Sequence, residues 1–254
     1  MTHPRRFIGI DLGWTSGESG LCCLEVLPGE PMRLRLVALT RRLAIADILT
    51  WVDQQAATAA TVIAVDAPTL IPNDSGMRLP DRLAHRYFGR YHAGCYPANR
   101  GRPFAERTTG LGLALEERGY SHAPNVETAC PEGNYQLEVF PHAAIIHLFQ
   151  LPKILKYKKG RLDDRSEQLG RLRQLILTNL PLLSPALVLP ELPQIPTSGR
   201  ELKALEDQLD SLICAYTAAH WWYWGSARNL TLGNISSGYI VVPTPFGPLK
   251  DENP

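Results

Sequence analysis

Five acidic side chains, widely spaced along the chain, stand where residue type and position allow chemistry. Asp11 closes the short apolar run Phe7–Ile10, and Asp66 closes a second, Thr61–Val65, where Pro68 then stops the extended segment. A carboxylate at the end of a buried strand projects from a rigid support toward a cleft, as a metal site requires. Each alone is equally a turn residue that accepts hydrogen bonds from loop amides. If the two strands lie side by side, Asp11 and Asp66 become neighbours, and adjacent carboxylates repel unless a cation neutralises them. Asp207 and Asp210 are three apart on a helical pattern and face the same way. By spacing alone they would be a solvated face; beside Asp11 and Asp66 they become candidate ligands, while Glu206 faces elsewhere. Glu138 sits in an apolar strand just before Val139-Phe140-Pro141-His142 and needs a partner, as a ligand, a base or half of a buried ion pair. His142 beside it reads first as a hydrogen-bonding residue.

The basic residues suggest what such a site would hold. Arg78, Arg82, Arg86, Arg90, Arg100, Arg102 and Arg107 run through a segment that also carries Tyr87, Tyr91 and Tyr96. Interleaved cations and aromatics suit phosphate and base contact, and equally a solvated helix face followed by a charged loop. Arg82 and Arg86 have helical spacing. A second patch, Lys153 to Arg161, offers Lys158 and Arg161 as phosphate contacts. The net charge is only +1, so no global field draws a polyanion and any nucleic-acid affinity must be local. The Asp11-Leu12-Gly13-Trp14-Thr15 turn could present amides to phosphate, but no Gly-Lys-Ser/Thr follows it. The five cysteines are odd in number, without zinc-site spacing. No signal-peptide pattern or membrane-length apolar run is present, so the expectation is a cytoplasmic protein with reduced thiols.

These residues need elements to position them. Strands are expected over 7–10, 20–27 and 33–39, joined by tight turns into an antiparallel meander. A helix over 44–60 then leads to a wholly apolar strand over 61–65, the pattern of a crossover into a parallel, buried position. Helices are expected over 80–89, 108–119, 143–149, 165–180 and 200–222, the last with an apolar stripe from Leu202 to Tyr216 and Ser198 or Thr197 as its cap. Strands are expected over 136–139 and 238–242. Residues 91–107 read as a loop and 153–161 as a mobile basic segment. The expected architecture is α/β, a mixed sheet flanked by helices. It forms one domain over 1–254, with an α-rich insertion at about 70–135, a Pro-rich connector at about 181–199 and a C-terminal tail at about 243–254.

A β-β-β-α-β start with acids on the first and fourth strands and on a late helix resembles the RNase H-like superfamily. Asp207-Gln208-Leu209-Asp210-Ser211-Leu212 resembles the Asp-x-x-Asp-Ala-Leu helix of RuvC-type resolvases, with Ser211 in place of alanine. The whole chain resembles domain-of-unknown-function family 429, described as predicted nucleases of RNase H fold. The likeness runs through Gly9-Ile10-Asp11, Val65-Asp66-Ala67-Pro68, Arg78 with Asp81-Arg82, Glu138-Val139-Phe140-Pro141, Lys158-Lys159-Gly160-Arg161, Asp207–Ala219 and Gly238–Pro243. The resemblance implies a metal-dependent nuclease with Asp11, Asp66, Asp210 and Glu138 as catalytic residues. Asp11, Asp66, Asp207 and Asp210 would bind Mg²⁺ or Mn²⁺, and Arg and Lys side chains would hold DNA or RNA. Two alternatives share the core: an ATP-dependent phosphotransferase of the sugar-kinase or actin type, and a non-catalytic binding protein. For the second, Trp221, Trp222 and Trp224 could form an interface, although core packing explains them as well. A homo-oligomer is left open. The nuclease reading requires Asp11, Asp66 and Asp210 to converge within one ligand shell.

Overall fold

The computed structural model describes residues 5–29, 31–126, 129–189 and 191–245. The expected tail lies outside these residues from 246 onward. Strands β1 (Arg6–Asp11), β2 (Ser19–Leu27) and β3 (Arg33–Arg42) form the antiparallel meander. Helix α1 (Ile45–Ala56) crosses to β4 (Thr61–Val65), which lies parallel to β1. There follow α2 (Leu79–Phe88), α3 (Ala105–Glu116), β5 (Ser121–His122), β6 (Tyr135–Glu138), α4 (Pro141–Leu148) and α5 (Leu162–Asn179). The short strand β7 (Ala186–Val188), the long helix α6 (Gly199–Trp224) and the hairpin β8 (Asn229–Asn234) and β9 (Gly238–Pro243) complete the chain. The main sheet has the order β5-β6-β4-β1-β2-β3-β7. A meander continued on the β1 side by parallel β4, with helices on both faces, is an RNase H-like fold.

Successive residues of β1 serve opposite faces because side chains alternate along a strand. Phe7 packs with Cys22, Leu24, Val62 and Ala64 under α6. Ile8 and Ile10 pack with Leu21, Cys23, Ile63 and Val65 under α1 and α3. Both faces being covered explains why these strands are apolar throughout. Helix α6 is buried on nearly every side from Leu202 to Trp221, and Ser198 caps its start by accepting a hydrogen bond from the Glu201 amide. Its backbone lies directly on the sheet. A Cβ on Gly9 would stand 1.9 Å from the Ser211 carbonyl oxygen, and one on Gly20 would stand 1.8 Å from that of Asp207.

The structure departs from the sequence reading in four places. Strand β7 falls within the Pro-rich connector, where three residues extend the sheet beside Arg33–Arg35 of β3. Strand β8 lies in a stretch to which the sequence assigns no element, because its Asn, Thr and Gly residues become extended only by pairing with β9. Helix α3 begins at Ala105, inside the segment expected to be loop. The basic segment 153–161 is anchored, because Leu155 and Tyr157 are core residues. Among the described residues no helix is long and apolar enough to cross a membrane.

Candidate functional site

Parallel pairing brings the first two acids together. The register Ile10↔Val65 continues past the strand end, where the Asp66 amide donates to the Ile10 carbonyl at 2.8 Å. Asp11 and Asp66 therefore emerge side by side at the ends of adjacent strands. Both lie on the face covered by α6, because Asp11 pairs with Gly20 and Gly20 meets the α6 backbone at Asp207. Asp210 lies one turn further along that helix and is fully buried.

A cation stands among the three. Lys158 Nζ lies 2.7 Å from Asp210 Oδ2 and 4.0 Å from Asp66 Oδ2. It faces Asp210 Oδ2 as an ion pair without hydrogen-bond alignment, so that buried oxygen has no aligned donor. The other oxygen, Asp210 Oδ1, accepts from the Tyr157 hydroxyl at 2.7 Å. That hydroxyl has one proton, so its 3.1 Å contact with His142 requires Nδ1–H of the imidazole to donate. Burial holds the His142 imidazole down at about 4, with nearby Lys158 adding to the effect.

The electrostatics are those of crowded, buried carboxylates. Burial, with Asp210 and Asp66 nearby, raises Asp11 well above the ordinary carboxylate range despite Lys158. Burial and Asp210 raise Asp66 to about 6, again against Lys158. Burial disfavours the Lys158 ammonium, but Asp210, Asp11 and Asp66 outweigh it and hold the amine protonated. Asp207 is buried beside the cluster and paired at 2.7 Å with Lys203, which also binds Glu206 at 2.7 Å. Glu206 is thus buried in its own ion network with Lys203 and Arg165.

Glu138 stands apart from the three. It pairs with Val65, one residue out of step with Asp66, so alternation turns its side chain to the other face of the sheet. Both its oxygens are taken by Arg78, at 2.6 and 2.8 Å. Asp81 completes the cluster, holding Arg78 at 2.8 Å and accepting the Ala98 amide at 3.0 Å. Burial works against the Arg78 charge, but Glu138 and Asp81 more than restore it. This is the ion-pair alternative for Glu138, and it fastens the start of α2 to the sheet.

The two clusters line one cavity of about 890 Å³. Its other cations are Arg41, Lys159, Arg200 and Lys203, and its wall includes Trp14 and Tyr96. Arg82 and Arg86 are exposed on α2 outside it, and Arg161 is exposed at the start of α5. The arginine run does not form one surface: Arg78 is buried in its ion cluster, and Arg100 and Arg107 bind backbone carbonyls of Ile71 and Gly13. Nor is the Gly13 turn an open amide cradle, since the Gly13 amide donates to Ser19 Oγ at 3.0 Å. Of the cavity cations not singled out from sequence, Lys203 alone left a signal, its i,i+4 spacing to Asp207. Arg41 and Arg200 reach the cavity only through the pairing of β3 and the seating of α6.

Among the described residues no three His, Cys, Asp or Glu side chains form a ready metal-ligand group; the Lys158 ammonium lies where such a group would close. The donor set nevertheless suits a divalent ion. It offers hard carboxylate oxygens, one of them buried without an aligned donor, and three acids face one ammonium.

The family model described as "Protein of unknown function (DUF429)" matches residues 9–231. No curated protein matches the chain. Among solved structures, Thermus thermophilus RuvC is similar at 14% identity and a TM-score of 0.39, over 84% of this chain and 97% of that one.

Proposed function

The chain belongs to the DUF429 family, whose model spans Asp11, Asp66, Asp207 and Asp210, and from that premise we propose that it is a divalent-metal-dependent nuclease. The observation that carries the reading is the convergence of Asp11, Asp66 and Asp210 on the ammonium of Lys158, at the wall of a cavity that Asp11, Asp66 and Lys158 line. Asp11, Asp66 and Asp210 would hold Mg²⁺ or Mn²⁺, with Asp207 at the edge. Such an ion, when bound, supplies Lewis acidity to the attacking water and the leaving oxygen of a phosphodiester.

The chain's own residues supply the rest. Tyr157 donates to Asp210 Oδ1 and fixes the carboxylate's orientation. His142 in turn fixes Tyr157, and its Nε2 is left as an acceptor. Lys158 keeps the acids neutralised while no ion is present. Its side chain is 32% exposed, so it has a path out of the cluster when an ion arrives. Lys159 and Arg200 are placed to hold substrate phosphates in the same cavity, where Arg41 is already paired with Glu18 at 2.6 Å. Glu138 serves the architecture through Arg78 and takes no part at the metal.

The test is Mn²⁺-dependent cleavage of a panel of DNA and RNA by the wild type, Asp11→Asn and Asp66→Asn. The expected result is metal-dependent cleavage by the wild type, reduced at least ~100-fold in both variants. Cleavage that survives either substitution would sink the proposal.

A further inference from the structure

The nuclease reading leaves the form of the nucleic acid open, and the cavity narrows it. Asp210 is fully buried and Asp11 is 7% exposed, so a scissile phosphate must enter the cavity to reach them. The cavity that leads to them has a volume of about 890 Å³. A stiff double helix lying across the mouth keeps its phosphates at the rim. An unpaired strand can bend inward, one nucleotide at a time.

The wall next to the acids suits an unpaired base. Tyr96 is 60% exposed although it lines the cavity. Its ring stands edge-on to Trp14 with centroids 6.5 Å apart, and 6.1 Å from Phe104. Trp14 is anchored to the Asp66 carbonyl through its indole N–H at 3.0 Å, so this aromatic shelf is tied to the backbone of a candidate ligand. The Arg102 guanidinium lies over one face of the Tyr96 ring, 5.3 Å from its centroid, so a base would stack on the opposite face. Aromatic faces of this kind stack bases without regard to sequence, whereas paired bases in a duplex keep their faces covered. Lys159 lines the same cavity and supplies charge for the strand's backbone, beside Arg41, which is paired with Glu18 at 2.6 Å.

We propose that the substrate is an unpaired nucleic-acid strand, with a base beside the scissile phosphate stacked on Tyr96. The inference rests on the nuclease reading and adds to it the strand state and a specificity-determining residue.

Binding measured by fluorescence anisotropy in the cleavage-disabled Asp11→Asn chain tests it, with a labelled 12-nucleotide single strand and a blunt 20-base-pair duplex as probes. The single strand should bind at least ~10-fold more tightly than the duplex. Adding Tyr96→Ala should weaken single-strand binding by about 10-fold, the worth of one stacked base, while Tyr96→Phe should restore it. Manganese affinity, measured in chains that keep Asp11, should be the same with Tyr96→Ala as without it, which separates a lost stacking face from a damaged fold. Equal or tighter binding of the duplex, or a Tyr96→Ala chain that holds the single strand as well as its parent, would overturn the inference and leave the nuclease reading standing. Absence of binding to either probe would bring down both.

Discussion

At the scale of single residues, Lys158 is the most informative side chain in the molecule. Three carboxylates drawn together without a cation would repel one another, and the ammonium relieves that strain. It must also be displaced before an ion can use the same oxygens. Two unit charges about 4 Å apart interact by about 4 kcal/mol at a surface-like dielectric, so the competition is not small. Lys158→Met should therefore raise Mn²⁺ affinity by ~10-fold or more, read by isothermal titration calorimetry at pH 8. An affinity that stays the same or falls would show that the lysine helps to build the site and does not compete for it. Its role was only half legible in the sequence. The basic patch marks Lys158 as a phosphate contact, but nothing local says that burial of Leu155 and Tyr157 pins the segment and drives the amine inward.

At the scale of elements, the site depends on how closely α6 approaches the sheet. Gly9 and Gly20 are opened to the α6 backbone by having no side chain, and this contact fixes the height of Asp207 and Asp210 above Asp11. A methyl group on Gly9 must push the helix away by more than an ångström. Gly9→Ala should cost about 3 kcal/mol or more, at the upper end of overpacking effects, and should lower Mn²⁺ affinity with it. Urea unfolding read by circular dichroism, together with the same calorimetric titration, measures both. A fully stable Gly9→Ala chain would mean that the helix can ride higher without loss.

The β-β-β-α-β order and the acids at the ends of β1 and β4 were legible because a buried strand is apolar on both faces and a carboxylate at its end interrupts the run. The face of α6 was not. An acidic pair beside a leucine stripe looks solvated until a sheet is known to cover it. Glu138 misled for a related reason: register decides which face a strand residue serves, and no local pattern reports register across a parallel pair. The strands β7 and β8 take their identity from their partners, so composition hid them.

At the scale of the whole molecule, the hairpin is held to the main body in part through a buried histidine. His220, fully buried on α6, meets Asn229 Oδ1 at 2.9 Å, and Asn229 Nδ2 donates to the Gly225 carbonyl at 2.7 Å. Burial lowers the His220 imidazole to about 4, against the help of Asn229, so it is neutral in the fold. In the unfolded chain it titrates near 6.5. Between these values the unfolded state binds the extra proton, and folding loses stability as the pH falls from 6.5 toward 4. Carboxylates raised by burial, Asp66 among them, act in the opposite sense, so the histidine is isolated by comparison with His220→Gln. The stability advantage of wild type over that variant should shrink by on the order of 3 kcal/mol between pH 7 and pH 4. Denaturant titrations across that range measure it, and a constant difference would rule out His220 as the source.

The late position of α6 in the chain sets a timetable. Asp11 and Asp66 are synthesised early and Asp210 only after most of the protein, yet the three meet at one ammonium, that of Lys158. Until that helix leaves the ribosome, the sheet face bearing the two early acids lacks the helix that covers it. Under the proposed reading, a half-made chain would lack its third acid, and hydrolysis would be withheld from the messenger that encodes it until synthesis is nearly done.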